Sequence, residues 1–468
     1  MSELPWIVWA VLIPLAGAVL AFLWPAQGAR VALLVWLGTG VAVLGLSLQL
    51  IQSGVQRYAV GGWHPPLGIS LHADGLSTLM LLLTALVFGP IMLYALAYFK
   101  NPAHPFWALS LFLWTALNAL FVSGDVFNVY VSLELLGLSA VALTALGGQA
   151  RALVAAYRYL LASLLGSLVY LLGVGLLYAE YATLDLQTLG RVISLDPASA
   201  VALALMTTGL LLKTALFPLH FWLPPAHASA TAPVSALLSG LVVKGSLYLL
   251  LRLWLEVFPT EATSGLLLGL LGAGAVFWGS LYALRARELK PLIAYSTVAQ
   301  LGYPFLAFPM LGAGGEVVVV YFVLSHAFAK AAMFLAAGSV LLAFGHDRLS
   351  ELRGLLQSLP LSVAAFALAG TSLMGLPPSG GFVAKWLLLQ ASIAAGQWLW
   401  AVVALLGGLL SAGYVFRILT RAIADPKQPA QPKAAFPMVE LVALALAIVS
   451  VLLGFLALPV LRLLEVGR

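Results

Sequence analysis

Residues 201–225 read VALALMTTGLLLKTALFPLHFWLPP. This apolar run is long enough to enter a membrane, carries a single charge at Lys213, and is then interrupted at Phe217-Pro218 and again at Leu223-Pro224-Pro225. Proline removes a backbone donor and ends or kinks a helix, so the pattern predicts a spanning helix that breaks partway. A charge inside such a run is costly and is by default functional. The same combination recurs at Gly375-Leu376-Pro377-Pro378-Ser379-Gly380-Gly381, with Lys385 just after the break. Two broken spans in two halves of a chain point to an internal repeat with a transport path at its interface.

Working outward, the whole chain has the character of this segment. Of its 468 residues 63% are hydrophobic and 8% charged, which excludes a soluble globular protein and predicts one polytopic membrane domain over residues 1–468. Splitting the apolar runs at their Pro, Gly and charged punctuation predicts fourteen helices, near residues 4–24, 31–51, 73–99, 106–123, 125–147, 154–179, 201–217, 233–256, 265–284, 291–310, 318–343, 361–394, 400–422 and 437–461. Residues 1–24 have no basic leader and no small-residue cleavage site, so they are read as the first span and not as a removable signal. There is no cysteine, which excludes thiolate metal sites and iron–sulfur clusters supplied by this chain. The formal charge of +6 is scattered singly through loops, not gathered on one face, so nucleic acid is not an expected partner.

Loop charges set an orientation. Thirteen Lys and Arg residues, Lys290, Lys427 and Lys433 among them, fall on one side of the predicted helices, and only Arg57, Arg191, Arg252, Arg462 and Arg468 fall on the other. The richer side is expected to be cytoplasmic, with both termini on the opposite side of a bacterial or archaeal inner membrane. Four basic residues fit neither side: Lys213, Lys244, Lys330 and Lys385, each inside an apolar run. All are lysine, which can give up its proton when buried, whereas arginine keeps its own.

Two constellations are therefore candidates for a proton relay. Glu134 lies two to three turns into the helix that begins after Asp125, and a carboxylate there needs a cation or a proton. Pairing with Lys213 would let the lysine switch between holding and releasing a proton, although a static ion pair is the plainer alternative. The second is a polar line of Lys244, His326, Lys330 and Lys385, in which His326 and Lys330 share a helix face at i, i+4. His220 and His227 flank the first break and are candidate path-lining residues, with metal binding the weaker reading because no carboxylate or cysteine is near. Asp125 is expected to cap its helix, with a place at the mouth of the path as the alternative. His64, His72, His104 and His346 read as loop residues in water. No cofactor or metal site and no bond-making catalytic motif is expected, so the chain reads as a transporter, or as one subunit of a redox-driven translocase.

These residues resemble the antiporter-like subunits shared by Mrp-type Na+/H+ antiporters, respiratory complex I and membrane-bound hydrogenases. The resemblance is carried by Phe127-Asn128 through Glu134, by Lys213 through Leu238 to Lys244, and by Gly375-Leu376-Pro377-Pro378 with Lys385. It implies two inverted five-helix repeats, at 106–256 (helices 4–8) and 265–422 (helices 9–13), with discontinuous helices 7 and 12. By position, Glu134 resembles the family's fifth-helix glutamate, Lys213 the lysine at the seventh-helix break and Lys244 the bridging lysine. His326 and Lys330 resemble the eleventh-helix pair, and Lys385 the twelfth-helix exit lysine. Residues 124–130 look most like the D-type subunit of Mrp antiporters, while 223–227 and 233–240 look nearer to the hydrogenase-linked relatives. Pro225 stands where many relatives carry an acidic residue. The resemblance implies a proton-translocating subunit of a multisubunit monovalent cation/proton antiporter, with other membrane subunits as partners, protons as cargo and Na+ or K+ as counter-ions. The alternative is a proton-pumping subunit of NADH-quinone oxidoreductase or of a membrane-bound hydrogenase.

Overall fold

The computed structural model describes residues 5–194, 196–258, 262–425 and 437–467. Lys427, Lys433 and Arg468 of the loop-charge tally lie outside the described residues. Among the described residues eleven helices are long and apolar enough to cross a membrane, and three shorter apolar helices, Phe106–Val122, Pro360–Met374 and Gly380–Ala394, join them. With Leu289–Leu306, each of the fourteen predicted segments is occupied by a helix or by a broken pair of helices.

Burial sorts these helices into an outer ring and a centre. Within an apolar eighteen-residue window of each, 33% of Trp6–Leu23 is buried in the protein, against 83% of Gly315–Phe344 and 100% of Ala232–Val257. The outer helix Gly28–Ser53 turns Leu34, Leu37, Val41, Leu44 and Leu48 outward at spacings of three and four residues. That stripe is a surface suited to lipid, as expected for a polytopic membrane protein. The central helices carry Lys244, His326 and Lys330, all buried, an inversion of the pattern expected of apolar spans.

Both predicted breaks are present. The helix Pro197–Thr214 ends at Ala215, which adopts a left-handed φ of +58°, and the chain re-enters helix only at Leu223–Ser229. Trp222 closes this gap: its indole N–H donates to Leu212 O at 2.8 Å, and its ring stacks on Tyr159 at 4.2 Å. A helix-end carbonyl that lipid could not satisfy thus finds a partner. The second break separates Pro360–Met374 from Gly380–Ala394, with Gly375 at φ +82° and Ser379 capping the restart through Phe382 N. The segment from Ala232 to Val257 stays helical but passes through a π-helical turn at Leu238–Val242 and another at Leu253–Val257.

One element absent from the sequence reading is a hairpin of β1 (Gln56–Ala59) and β2 (Ser70–Ala73), antiparallel, with Arg57 opposite His72. It leads directly into Asp74, which caps Gly75–Tyr98 through a reciprocal pair of bonds with Ser77. Asp125 is likewise the cap of Val126–Ala145, accepting from Phe127 N at 2.9 Å and Asn128 N at 2.7 Å.

Candidate ion path

Lys213 sits in the last turn before the first break, where its amine donates to Ser163 Oγ at 3.0 Å and to Leu133 O at 3.4 Å. Two glycines make room for it. A Cβ at Gly166 would stand 3.1 Å from Lys213 Cγ, and one at Gly137 would stand 2.4 Å from Ser163 Oγ. The amine opens on a cavity of about 20 Å3 lined also by Tyr159, Val242 and Ser246. That space suffices for one water. Glu134 follows Leu133, the residue whose carbonyl holds the lysine, and its Oε1 is enclosed without a hydrogen-bond partner. No ion pair joins the two within 4.0 Å, so the predicted partners are neighbours and not bonded.

From this cavity a sequence of hydroxyls and carbonyls leads inward. Thr214 and Ser246 are joined at 2.8 Å, and Ser246 lies two residues from Lys244. Lys244 donates to Ser239 O across the first π-helical turn. Ser239 Oγ meets Thr297 Oγ1 at 2.9 Å, and Thr297 in turn donates to Ile293 O at 3.0 Å. Lys330 donates to the same Ile293 O, also at 3.0 Å, and to Ser296 Oγ. Lys244 and Lys330 are therefore linked through three residues without a carboxylate between them.

The far end is built around Lys385. Its amine donates to Leu373 O at 2.8 Å and Met374 O at 3.0 Å, the last carbonyls of the broken helix, and lies 4.5 Å from the centre of the Tyr303 ring. A cation at a helix C-terminus is favoured by the peptide dipoles there. The amide nitrogen of Gln300, one turn beyond Ser296, lies within hydrogen-bond reach of Leu373 O at 3.2 Å and of Ser411 and Tyr414 at 3.0 Å each, so it stands between Lys330 and Lys385. His326 is buried one turn from Lys330 with Nε2 unpartnered, while neighbouring Ser325 bonds Ser372 at the second break.

The other candidates divide. His227 is fully buried, neither ring nitrogen has a partner, and it lies within electrostatic reach of Lys244, Lys330 and Lys290. His220 packs instead against Phe217 and Trp278, away from the lysines. Asp125 acts as a helix cap, as described above. Two residues counted as loop charges need correction. Lys290 is buried and donates to Ala230 O, close to His227, and Arg252 is buried in an ion pair with Asp74. Both stand at the ends of apolar runs, where sequence alone cannot separate a surface anchor from a charge folded inward. His72 also is not a freely solvated loop residue: burial and the nearby Arg252 push its pKa down. Ser163, Ser239, Thr297 and Gln300 were not singled out, because hydroxyls and amides in apolar helices leave no distinctive trace. Among the described residues no group of three or more His, Cys, Asp or Glu side chains is placed to hold a metal.

What the arrangement offers chemically is a row of amines held by neutral oxygen acceptors, each able to donate as ammonium or to accept as amine. The imidazole of His326 lies among them, and a small cavity adjoins Lys213.

Comparison with known proteins follows this layout. The model of the family described as NADH:quinone oxidoreductase/Mrp antiporter, transmembrane, matches residues 123–411, a segment that begins just before Glu134 and ends past Lys385. The N-type subunit of the NADH-quinone oxidoreductase of Desulforudis audaxviator is 38% identical over 81% of this chain and 77% of its own. The D-type subunit of the Na(+)/H(+) antiporter of Alkalihalophilus pseudofirmus is 28% identical over 90% of this chain and 89% of its own. A chain in the structure of the Mrp complex from a Dietzia species superposes with a TM-score of 0.90 at 26% identity, covering 98% of this chain and 95% of that one. With a family match over more than half its length and the path lysines inside that match, the chain belongs to the NADH:quinone oxidoreductase/Mrp antiporter transmembrane family.

Proposed function

We propose that this antiporter-like subunit carries protons along Lys213, Lys244, the His326/Lys330 pair and Lys385, within a multisubunit monovalent cation/proton antiporter. The observation that carries this reading is the continuity of the polar row. Thr214 and Ser246 lead from the first broken helix towards Lys244, the Ser239–Thr297–Ile293 bridge joins Lys244 to Lys330, and Gln300 leads to the second broken helix. Glu134 sets the charge state of Lys213 by approaching or leaving it, and Lys290 with His227 extends the row on its basic-loop side. Residues 106–256 and 265–422 are read as the two repeats, each with one break and one lysine beside it. The loop-charge bias supports both termini lying away from the cytoplasm of a bacterial or archaeal cell membrane. Relatives of this chain work inside membrane complexes, and partner subunits of that kind, with Na+ or K+ as counter-ion, are part of the proposal.

A second reading, as a proton-pumping subunit of an NADH-quinone oxidoreductase, has a specific observation behind it: identity to the N-type oxidoreductase subunit is 38%, against 28% to the D-type antiporter subunit. Purifying the intact complex and identifying its subunits by mass spectrometry separates the two. Iron–sulfur partners favour the pump, and small membrane subunits alone favour antiport. The relay itself is tested by Lys213→Ala in proteoliposomes of the whole complex. Proton flux is expected to be abolished, and unchanged flux would remove the relay.

A further inference from the structure

Lys244, Tyr248, Arg252 and Glu256 repeat at intervals of four along the segment Ala232–Val257, and the last three are joined by hydrogen bonds through Arg252. Tyr248 Oη donates to Phe121 O at 2.7 Å and accepts from Arg252 Nε at 3.0 Å. Arg252 grips Asp74 with both terminal nitrogens, at 2.5 Å to Oδ2 and 2.7 Å to Oδ1, and also reaches Glu256. The set ends in an open pocket of about 530 Å3 on the side of the β-hairpin. Charged groups face Glu256 there from every neighbouring element: Arg57 and His72 from the hairpin, Asp74 from the cap, Arg191 from Leu186–Val192, Glu316 from Gly315–Phe344, and Arg252 on its own helix.

We propose that this cluster is a second mouth of the path, in which Glu256 exchanges protons with the pocket and Arg252, clamped by Asp74, positions it in line with Tyr248 and Lys244. The two carboxylates have different roles. Asp74 is locked by the bidentate arginine and by its capping bonds, with a side chain only 10% exposed, whereas that of Glu256 is 33% exposed to the pocket. Arginine keeps its proton and cannot relay one. Around the pocket Arg57, Arg191 and Arg252 stand against the carboxylates of Asp74, Glu256 and Glu316, so each carboxylate there has a basic group within the same pocket. Lys244 lies eight residues in from Arg252, roughly 12 Å along the helix axis, with Tyr248 midway between them. The second π-helical turn holds Glu256 and so sets the direction in which its side chain leaves the helix, and such turns are frequent at functional sites. A cluster built only to anchor the hairpin would need Asp74 and Arg252 but would gain nothing from Glu256 facing water.

This inference rests on the relay reading, and its test keeps the two apart. Intact complex is reconstituted in oriented proteoliposomes, and proton flux is measured while pH is varied separately on the hairpin face and on the opposite face. Glu256→Gln is expected to lower flux about tenfold or more and to flatten its dependence on hairpin-face pH alone, with Glu256→Asp restoring both. Wild-type flux and profile in Glu256→Gln, or a loss equal on both faces and not rescued by aspartate, overturns the second mouth. If Glu256→Gln fails to assemble, Tyr248→Phe decides: the ring packing stays, and the same one-sided flattening is expected, while an unchanged profile overturns the proposal. Lys213→Ala in parallel separates the failures, since flux surviving it removes the relay, and flux lost there but untouched in Glu256→Gln removes only the mouth.

Discussion

Two glycines flank Lys385, and the geometry predicts opposite outcomes when each is changed to alanine. At Gly375 the backbone φ is +82°, and a Cβ would stand 2.6 Å from Lys385 Cδ. The left-handed conformation alone costs an L-residue about 1–2 kcal/mol. The overlap adds about 1–3 kcal/mol, because the lysine stem is fixed at its far end by Leu373 O and Met374 O and cannot swing away cheaply. A Cβ at Gly408, by contrast, would meet Met374 O at 3.5 Å and Lys385 Nζ at 3.9 Å, which is ordinary contact. Gly375→Ala should therefore destabilise the protein by about 2–5 kcal/mol, and where the lysine relieves the strain by abandoning its carbonyls, flux should fall about tenfold for each 1.4 kcal/mol transferred to its step. Gly408→Ala should leave both close to wild type. The assay is dye-reported proton uptake by proteoliposomes of the intact complex, normalised to assembled complex, with melting of the same samples in detergent. Equal behaviour of the two variants, or Gly375→Ala with wild-type melting and flux, would refute the claim that Lys385 is held in place by this glycine and the helix-end carbonyls.

Other outcomes follow from single contacts. Ser163→Ala removes the hydroxyl 3.0 Å from Lys213 but leaves Leu133 O, so the lysine loses about 1 kcal/mol of positioning and flux falls several-fold, well short of the loss in Lys213→Ala. Full loss in Ser163→Ala would mean that the hydroxyl itself carries the proton. At Asp74 burial alone would push the carboxyl up, but Arg252 overrides it and holds the group well below the ordinary carboxylate range. Because the folded value is depressed, the stabilisation is present above the unfolded value of about 3.9 and is lost as pH falls through the lower folded value. The melting difference between wild type and Asp74→Asn should thus stay constant from pH 8 to 5 and close only below about pH 4. A gap that closes between pH 8 and 5 would show that the carboxylate is not clamped.

The helices and the buried lysines were legible for the same reason. Against apolar runs a lysine such as Lys244 or Lys330 has no bland explanation, and the Pro-rich breaks beside Lys213 and Lys385 are written in the sequence itself. The oxygen partners were not legible. Ser239 and Thr297 lie far apart in the chain and meet only because two central helices pack there, and Gln300 matters only because Leu373 O happens to face it. Arg252 and Lys290 were misplaced because a charge at the end of an apolar run leaves the same linear pattern whether it anchors at a headgroup or folds back into the protein. The hairpin escaped notice because its strands are four residues each and become ordered by pairing with one another, not by a strong periodic pattern.

The Ser239–Thr297 contact has a consequence for directionality. Either hydroxyl can be the donor: while Thr297 donates to Ile293 O the bridge runs from Ser239 to Thr297, and turning both rotors reverses it with loss of the Ile293 bond and no helix movement. Within the proposed relay such a bridge has no built-in sense and would serve equally a complex that drives protons outward and one that admits them. The bias must come from its ends, where a carboxylate, a histidine or a partner subunit decides which lysine is loaded first.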